Sequence, residues 1–423
     1  MKQPLFCLFA GMICFINANA QIDSSLLTTK AHDTMHPQLT MDAIYSRPFI
    51  GMGKSALSIG GYMEANWQHA GTPSISAGNQ FQFRRLSIFM ASSITSRIKF
   101  LAEIEYENDP SGDPADSKEG GKFEVEYAAM DIELHPLLNI RGGIIVNPLG
   151  AFNQNHDGPK WEFTDRPIAM TQMLPDTWSN AGFGIYGKQY TGNWMVGYEL
   201  YLTGGLNDSI IKNDRGKTFL PEANGNQARF TSSASGAPMY SGKLSLRNNK
   251  IGELGLSYVG DIYNTWRVEG ATIDNKRTAQ IYDIDFNTTV RATHTRIITE
   301  IAWVKVQLPA GYTEQYSSRQ FGGFMDIVQP LVTTRILSWE HATINIALRG
   351  EYVNWNVGYF SATGLRMYND LWSIMPAISF RPTPQTVLRF NYRHQFQRDI
   401  TGNPTGAPLG LTESYSVGIS TYF

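Results

Sequence analysis

The sequence predicts an all-β protein, a transmembrane antiparallel β-barrel of about 16 strands (18 is the alternative), with long extracellular loops and one loop folded into the lumen. Three observations carry this. Apolar and polar side chains alternate with period two, segment after segment, from Leu57 to the C-terminus. After the first twenty residues no apolar run approaches the roughly 18 residues that a membrane-crossing helix needs. The two ends of the chain carry an export leader and a barrel-like last strand.

The leader comes first. Lys2 supplies a positive charge, Leu5 to Ile16 are mostly apolar, and Ala18-Asn19-Ala20 is a small-residue cleavage site, so residues 1–20 read as a cleaved signal peptide. Ile13 is too bulky for a lipoprotein signal at Cys14. Both cysteines, Cys7 and Cys14, lie in this leader. The exported chain therefore has no disulfide framework and no cysteine-ligated metal. Residues 21–55 read as an N-terminal periplasmic segment, and 56–423 as the barrel.

In the barrel region, Leu57, Ile59, Met63 and Trp67 alternate with Ser58, Glu64, Asn66 and Gln68. Ile98, Phe100, Ala102, Ile104 and Tyr106 oppose Arg97, Lys99, Glu103, Glu105 and Glu107. Later segments start at Trp194, Ile344, Trp372 and Thr386. Alternate side chains of a strand point to opposite faces, so each segment has one apolar and one polar face. Segments of about 9–12 residues suit tilted strands in a bilayer. Trp67, Tyr106, Trp194, Trp303, Tyr352, Phe380 and Tyr392 sit near segment ends, as interfacial girdles require. Short connections such as His135-Pro136-Leu137 and Pro382-Thr383-Pro384 alternate with long polar ones, the asymmetry of periplasmic turns and extracellular loops. A bacterial outer-membrane location follows, with outer-membrane lipid as the surroundings.

The polar faces carry both signs of charge. Lumen-facing candidates are Arg97, Lys99, Glu103, Glu105, Asp131, Arg141, Glu300, Arg349, Glu351, Arg389 and Arg393, with Glu64, Glu107, Glu133, Glu199 and Asp285 beside them. Opposed charges across a pore make a transverse field that orients small polar solutes. A barrel of 16 strands is too wide for wall side chains to fill and leaves an aqueous channel. Residues 148–181 hold four prolines, two tryptophans and mixed charges without alternation. A loop that long is usually functional. It is expected to fold into the lumen, with Asp165 and Arg166 at the constriction and Lys160 and Asp176 as further candidates. The other long loop, 204–238, is Asn/Gly/Ser-rich and reads as exposed and mobile.

Several other chemistries are disfavoured. The formal net charge of −2, with no basic stripe, argues against nucleic acid. Gly53-Lys54-Ser55 lacks the glycine of a phosphate loop, because Pro48 stands in its place. No G-x-S-x-G motif or neighbouring Ser/His arrangement points to a hydrolase. His32, Asp33 and His36 fall in a linker-like segment, so neither a metal nor a cofactor is expected. The end of the chain, Tyr415, Val417, Ile419, Thr421 and Phe423, looks like the signal read by the barrel-insertion machinery.

The stretches RPFIGMGKSALSIGGYMEANW, FQFRRLSIFM and IKFLAEIEYE resemble the opening of Bacteroidota outer-membrane porins akin to the phosphate-selective porin family. RGGIIVNPLGAFN, FTDRPIAM, LPDTWSNAGFGIYG and SFRPTPQTVLRFNYRHQF resemble later blocks of that group, so the likeness spans about 47–423. It implies a 16-stranded barrel, a homotrimer, and passage of small solutes or ions. It does not carry phosphate selectivity over, because acidic lumen candidates outnumber basic ones. The expected function is therefore a porin for passive diffusion of small polar solutes or ions, and not an enzyme. A phosphate- or oligosaccharide-specific channel, a barrel enzyme and an adhesive barrel stand as the other readings.

Overall fold

In the computed structural model the described residues are 40–44, 47–48, 57–72, 75–108, 121–224, 230–231, 233–309, 317–360, 363–404 and 411–423. The leader and the trio His32, Asp33 and His36 lie outside them.

Period-two patterning makes strands here because each segment can bury one face only by joining a sheet. The strands are β1 (Ser58–Thr72), β2 (Ile75–Ser93), β3 (Ile98–Glu107), β4 (Lys122–His135), β5 (Leu138–Val146), β6 (Ser179–Thr191), β7 (Trp194–Thr203), β8 (Met239–Asn248) and β9 (Gly252–Ile262). The short β10 (Arg267–Val268) and β11 (Ala271–Thr272) form a ribbon of their own. There follow β12 (Thr278–Val290), β13 (Thr295–Val306), β14 (Arg319–Ile336), β15 (Trp339–Asn354), β16 (Asp370–Thr383), β17 (Thr386–Gln397) and β18 (Leu411–Tyr422).

Sixteen of these close into one antiparallel barrel in which each strand pairs with its neighbours in the chain. The seam is β1 against β18, from Tyr62 opposite Tyr422 to Gly71 opposite Glu413. Closure removes the edges of the barrel sheet, so its ladder groups find partners inside a bilayer. Tight turns such as 136–137, 192–193 and 337–338 gather at one end, and the long connections at the other.

The two faces separate as the alternation requires. Along β7, Trp194, Val196, Leu200 and Leu202 are exposed, while Met195, Glu199, Tyr201 and Thr203 between them are buried. Outward aromatics form two belts. Trp303, Phe321 and Tyr352 stack in sequence near the long-loop end, and Trp339 meets Phe380 near the short-turn end.

Two β-bulges break the alternation inward. Glu64 faces Arg85 while Ala65 faces Phe83, which leaves Arg84 as the extra residue. Glu103 faces Tyr127 while Ile104 faces Val125, which leaves Glu126 extra. A bulge re-aims a side chain. Arg84 and Arg85, and likewise Glu126 and Tyr127, are adjacent in sequence yet all buried inside the barrel.

The lumen is occupied by chain. Among the inward strand charges expected from the sequence, Lys99, Glu103, Glu105, Asp131, Arg141, Glu300, Arg349, Glu351, Arg389 and Arg393 are at most 8% exposed and do not line open water in this conformation, while Glu107 and Glu133 are half-buried. The covering chain comes from three places: loop 147–178, part of loop 204–238 and the described part of the N-terminal segment. Loop 204–238 differs from the expectation of an exposed segment. Its Leu206, Ile210, Ile211, Leu220 and Ala223 join the largest buried apolar cluster. The Asn/Gly/Ser-rich average of that loop hid these few apolar residues.

Candidate pore constriction

Loop 147–178 leaves β5, crosses the lumen and returns to β6 as a strap. Its base is closed by Asn147, which donates to Asn180 Oδ1 at 2.8 Å, and by Asn153, which donates to the Asn147 carbonyl at 2.8 Å. The first crossing ends on the opposite wall. There Glu300 accepts the backbone N–H of Ala151 and of Phe152, both at 2.8 Å, and Lys243 donates to the Gly150 carbonyl at 2.6 Å. Gly150 sits at φ +60, where a side chain is strained, and a Cβ there would strike the Glu300 carboxylate.

The strap then meets β7 and β4 at Gln154 and His156, runs along β16–β18 from Asp157 to Thr164, and reaches β2 and β3 at Asp165 and Arg166. Arg389 donates to the carbonyls of Gly158, Trp161 and Phe163, at 3.2, 3.4 and 2.7 Å. Glu162 accepts from Arg381, Arg296 and Ser379. Burial pushes the Glu162 carboxyl up, but the Arg381 and Arg296 guanidiniums outweigh it and hold the group at about 2. Thr164 is fixed by Asn391 and Ser416, and Glu351 accepts the Ile168 N–H at 2.8 Å.

The constriction candidates fall at three points of the strap. Asp165 pairs with Arg84 at 2.8 Å and Arg393 at 3.4 Å, and its carbonyl accepts from Arg349 at 2.7 Å. Arg166 turns the other way, to Asp176 at 2.6 Å and Glu107 at 3.3 Å. Lys160 lies apart, 3.3 Å from Asp157. Asp157 is bound by Arg47 in a two-pronged pair and by the Tyr422 hydroxyl at 2.7 Å. Burial pushes the Asp157 carboxyl up, yet Arg47 and Lys160 beside it hold it far below the usual carboxylate range.

The wall charges pair across strands beneath the strap. Arg141 grips Asp131 through two bonds and reaches Glu199 at 3.4 Å, and Lys99 pairs with Glu133. Arg349 grips Asp326 through two bonds of 2.7 Å. Arg393 meets Glu351 at 3.0 Å. Glu103 accepts from Arg47 at 2.7 Å, and Glu105 from the Tyr62 hydroxyl at 2.6 Å. Arg97 stands outside this group. It occupies the exposed turn between β2 and β3 and donates to the Leu134 carbonyl.

The strap's hold is also apolar. Leu149, Phe152, Trp161, Ile168, Met170, Met173 and Trp178 pack with loop 204–238 against Ala302, Val304, Phe324 and Val353 of the wall. Burying a large apolar side chain stabilises by about 1.5–3 kcal/mol, so the docked strap is a built part of the barrel. At the short-turn end the N-terminal segment packs inside as well. The Thr40 N–H meets Glu253, Asp42 pairs with Lys188 at 3.1 Å, and Arg47 stacks over Phe89 at 3.9 Å.

Comparison with solved structures bears on this architecture. The outer-membrane channel DcaP of Acinetobacter baumannii superposes with a TM-score of 0.53, at 10% identity, over 88% of this chain and 99% of its own. The anion-selective porin of Comamonas acidovorans scores 0.52 at 10% identity, over 87% of this chain and 99% of its own. Salmonella typhi OmpF in complex with daunomycin scores 0.52 at 10% identity, over 87% and 98%. This is a bacterial outer-membrane β-barrel. At such identities the likeness is one of fold. No protein-family profile matches the chain. An uncharacterised Aquifex aeolicus protein is 30% identical over 178 residues, 40% of this chain and 38% of that protein, so the match spans well under half of the relative.

Sequence reasoning did not find Arg47, Arg84, Glu126, His156, Asp157 or Glu162. His156, Asp157 and Glu162 stood in the strap among more conspicuous charges. Arg84 and Glu126 are aimed inward only by bulges. The Arg84-Arg85 doublet in an otherwise alternating strand was the available signal.

Proposed function

We propose that the chain is an outer-membrane porin that passes small polar solutes or ions by passive diffusion, with the 147–178 strap as its constriction, and that it is not an enzyme. The observation that carries this is the strap itself. It crosses a closed 16-stranded barrel and meets Arg84, Arg349, Arg389 and Arg393 on one side and Glu107 on another. Charges of both signs at a narrowing give weak ion preference and orient dipolar solutes. The fold shared with an anion-selective porin and with an outer-membrane channel supports the same reading. Kinship with the group resembling phosphate-selective porins belongs to the proposal. Phosphate preference does not, because acidic groups such as Glu64, Glu105 and Asp165 stand among the arginines. Export by the 1–20 leader, a homotrimeric assembly and recognition of the Phe423 end by the insertion machinery complete it. The outward row of Tyr415, Val417 and Ile419 ending on an exposed Phe423 supports the last of these.

Single-channel recording in a planar bilayer tests the reading. The refolded protein is expected to give stable steps of small conductance, with a reversal potential near that of weak ion selectivity. A verified folded barrel that never conducts would overturn it.

A further inference from the structure

The bulge in β4 builds a cluster that the channel reading does not use. It turns Glu126 inward beside Glu103 of β3, and the strap delivers His156 to the same point. All three are at most 3% exposed, and one ligand atom from each lies within 4.8 Å of the others. We propose that Glu103, Glu126 and His156 form a binding site for a divalent transition-metal cation of the zinc class, tying the strap to the β3–β4 wall.

The imidazole is set for this. His156 Nδ1 lies 2.8 Å from the Asn153 carbonyl oxygen. A carbonyl can only accept, so Nδ1 carries the proton and donates. Metal-bound histidines have this same second contact, which fixes ring and tautomer. The other nitrogen, Nε2, faces Glu126 Oε2 at 3.0 Å and Asp157 Oδ1 at 3.9 Å. A neutral ring would place its lone pair against a carboxylate oxygen at that distance, and a cation shared between them removes the repulsion. The other remedy is a proton shared between the two groups, on Nε2 or on Glu126 Oε2, and metal and proton are separable by experiment.

The donor set favours the borderline metals. Zn²⁺ takes imidazole nitrogen and carboxylate oxygen at about 2.0–2.2 Å, and a three-ligand site leaves a position for water. Two ligands of such a tetrahedral ion stand about 3.3–3.5 Å apart, close to the observed 3.0 Å. Ca²⁺ and Mg²⁺ prefer all-oxygen shells of six or so ligands, which one imidazole and two carboxylates do not supply. Arg47 supplies positive charge to the pocket as it stands, bonding Glu103 and Asp157. An entering ion therefore competes with Arg47 for Glu103. These ligands come from positions 103, 126 and 156, a spacing that no sequence motif reports.

The test is titration of the refolded, chelator-treated full chain with Zn²⁺ alone, followed by calorimetry, with Ca²⁺ as the control. One zinc per chain is expected, with no calcium uptake at the same concentration. His156→Ala and Glu126→Gln should each bind more weakly by more than the roughly tenfold that loss of an outer-shell partner costs. Arg47→Ala should bind at least as tightly as the parent. Co²⁺ offered to the unaltered chain gives a second reading that needs no variant, through the visible absorption of a tetrahedral site. No saturable zinc uptake by the folded parent, no cobalt band at saturation, or equal binding by His156→Ala would each overturn the proposal. The first two results would leave a protonated His156–Glu126 pair.

Discussion

Glu162 sits where the strap touches two arginines of different strands, Arg296 of β13 and Arg381 of β16. Its carboxyl is held at about 2 against an ordinary value of about 4.3. A carboxylate lowered in this way stabilises the docked strap fully above the ordinary value. That contribution is lost as pH falls through about 2. Conductance should therefore stay level from neutral pH to about 4.5 and rise on further acidification, as the strap loosens. In Glu162→Gln the conductance should be raised at neutral pH and this acid step should vanish. An unchanged acid response in the variant would show that other groups set it.

At the level of elements, the cross-strand pairs bear most of the lumen's charge. Asp326 of β14 stands directly opposite Arg349 of β15. The pair is buried, bidentate, and stacked under Phe163 of the strap at 4.3 Å. Asp326→Ala leaves a guanidinium uncompensated and should cost about 3–5 kcal/mol in unfolding free energy, read by urea titration in detergent micelles. Asp326→Ala combined with Arg349→Met should recover most of that loss. An equal loss in the double variant would contradict the electrostatic origin.

The same scale shows what could be read beforehand. Strands such as β7 and β16 were legible because one face had to be apolar and the other polar over a full bilayer crossing. Inward positions of Lys99, Arg141, Arg349 and Arg389 followed directly. Arg84 and Glu126 did not, since a bulge inverts the parity of a strand, and the Arg84-Arg85 doublet is the one sequence hint of it. Arg97 was placed one residue too far into β3, and a strand end has no parity to read. The apolar residues of loop 204–238 were hidden by its polar average. Nothing local could have placed Arg47 against Asp157, 110 residues away in the chain.

The whole molecule is a wide barrel with its width largely taken up by its own chain. Sixteen strands enclose more space than wall side chains fill, and the strap with the described parts of loop 204–238 and of the N-terminal segment occupies it. An apolar core lies on the β8–β16 side, around Trp161, Phe324 and Trp355. Charged groups face the strap from β1–β4 and β17, and further buried pairs, Lys243–Asp285 and Asp326–Arg349, sit on the apolar side. On the porin reading proposed above, the passage for solutes is set by the strap and not by the barrel radius. The most direct measurement is the single-channel conductance of the intact protein beside a variant in which residues 150–176 are replaced by a short Gly/Ser turn. A several-fold larger step in the shortened protein is the expected result. Equal conductance in two verified folded barrels would contradict the strap's place as the constriction.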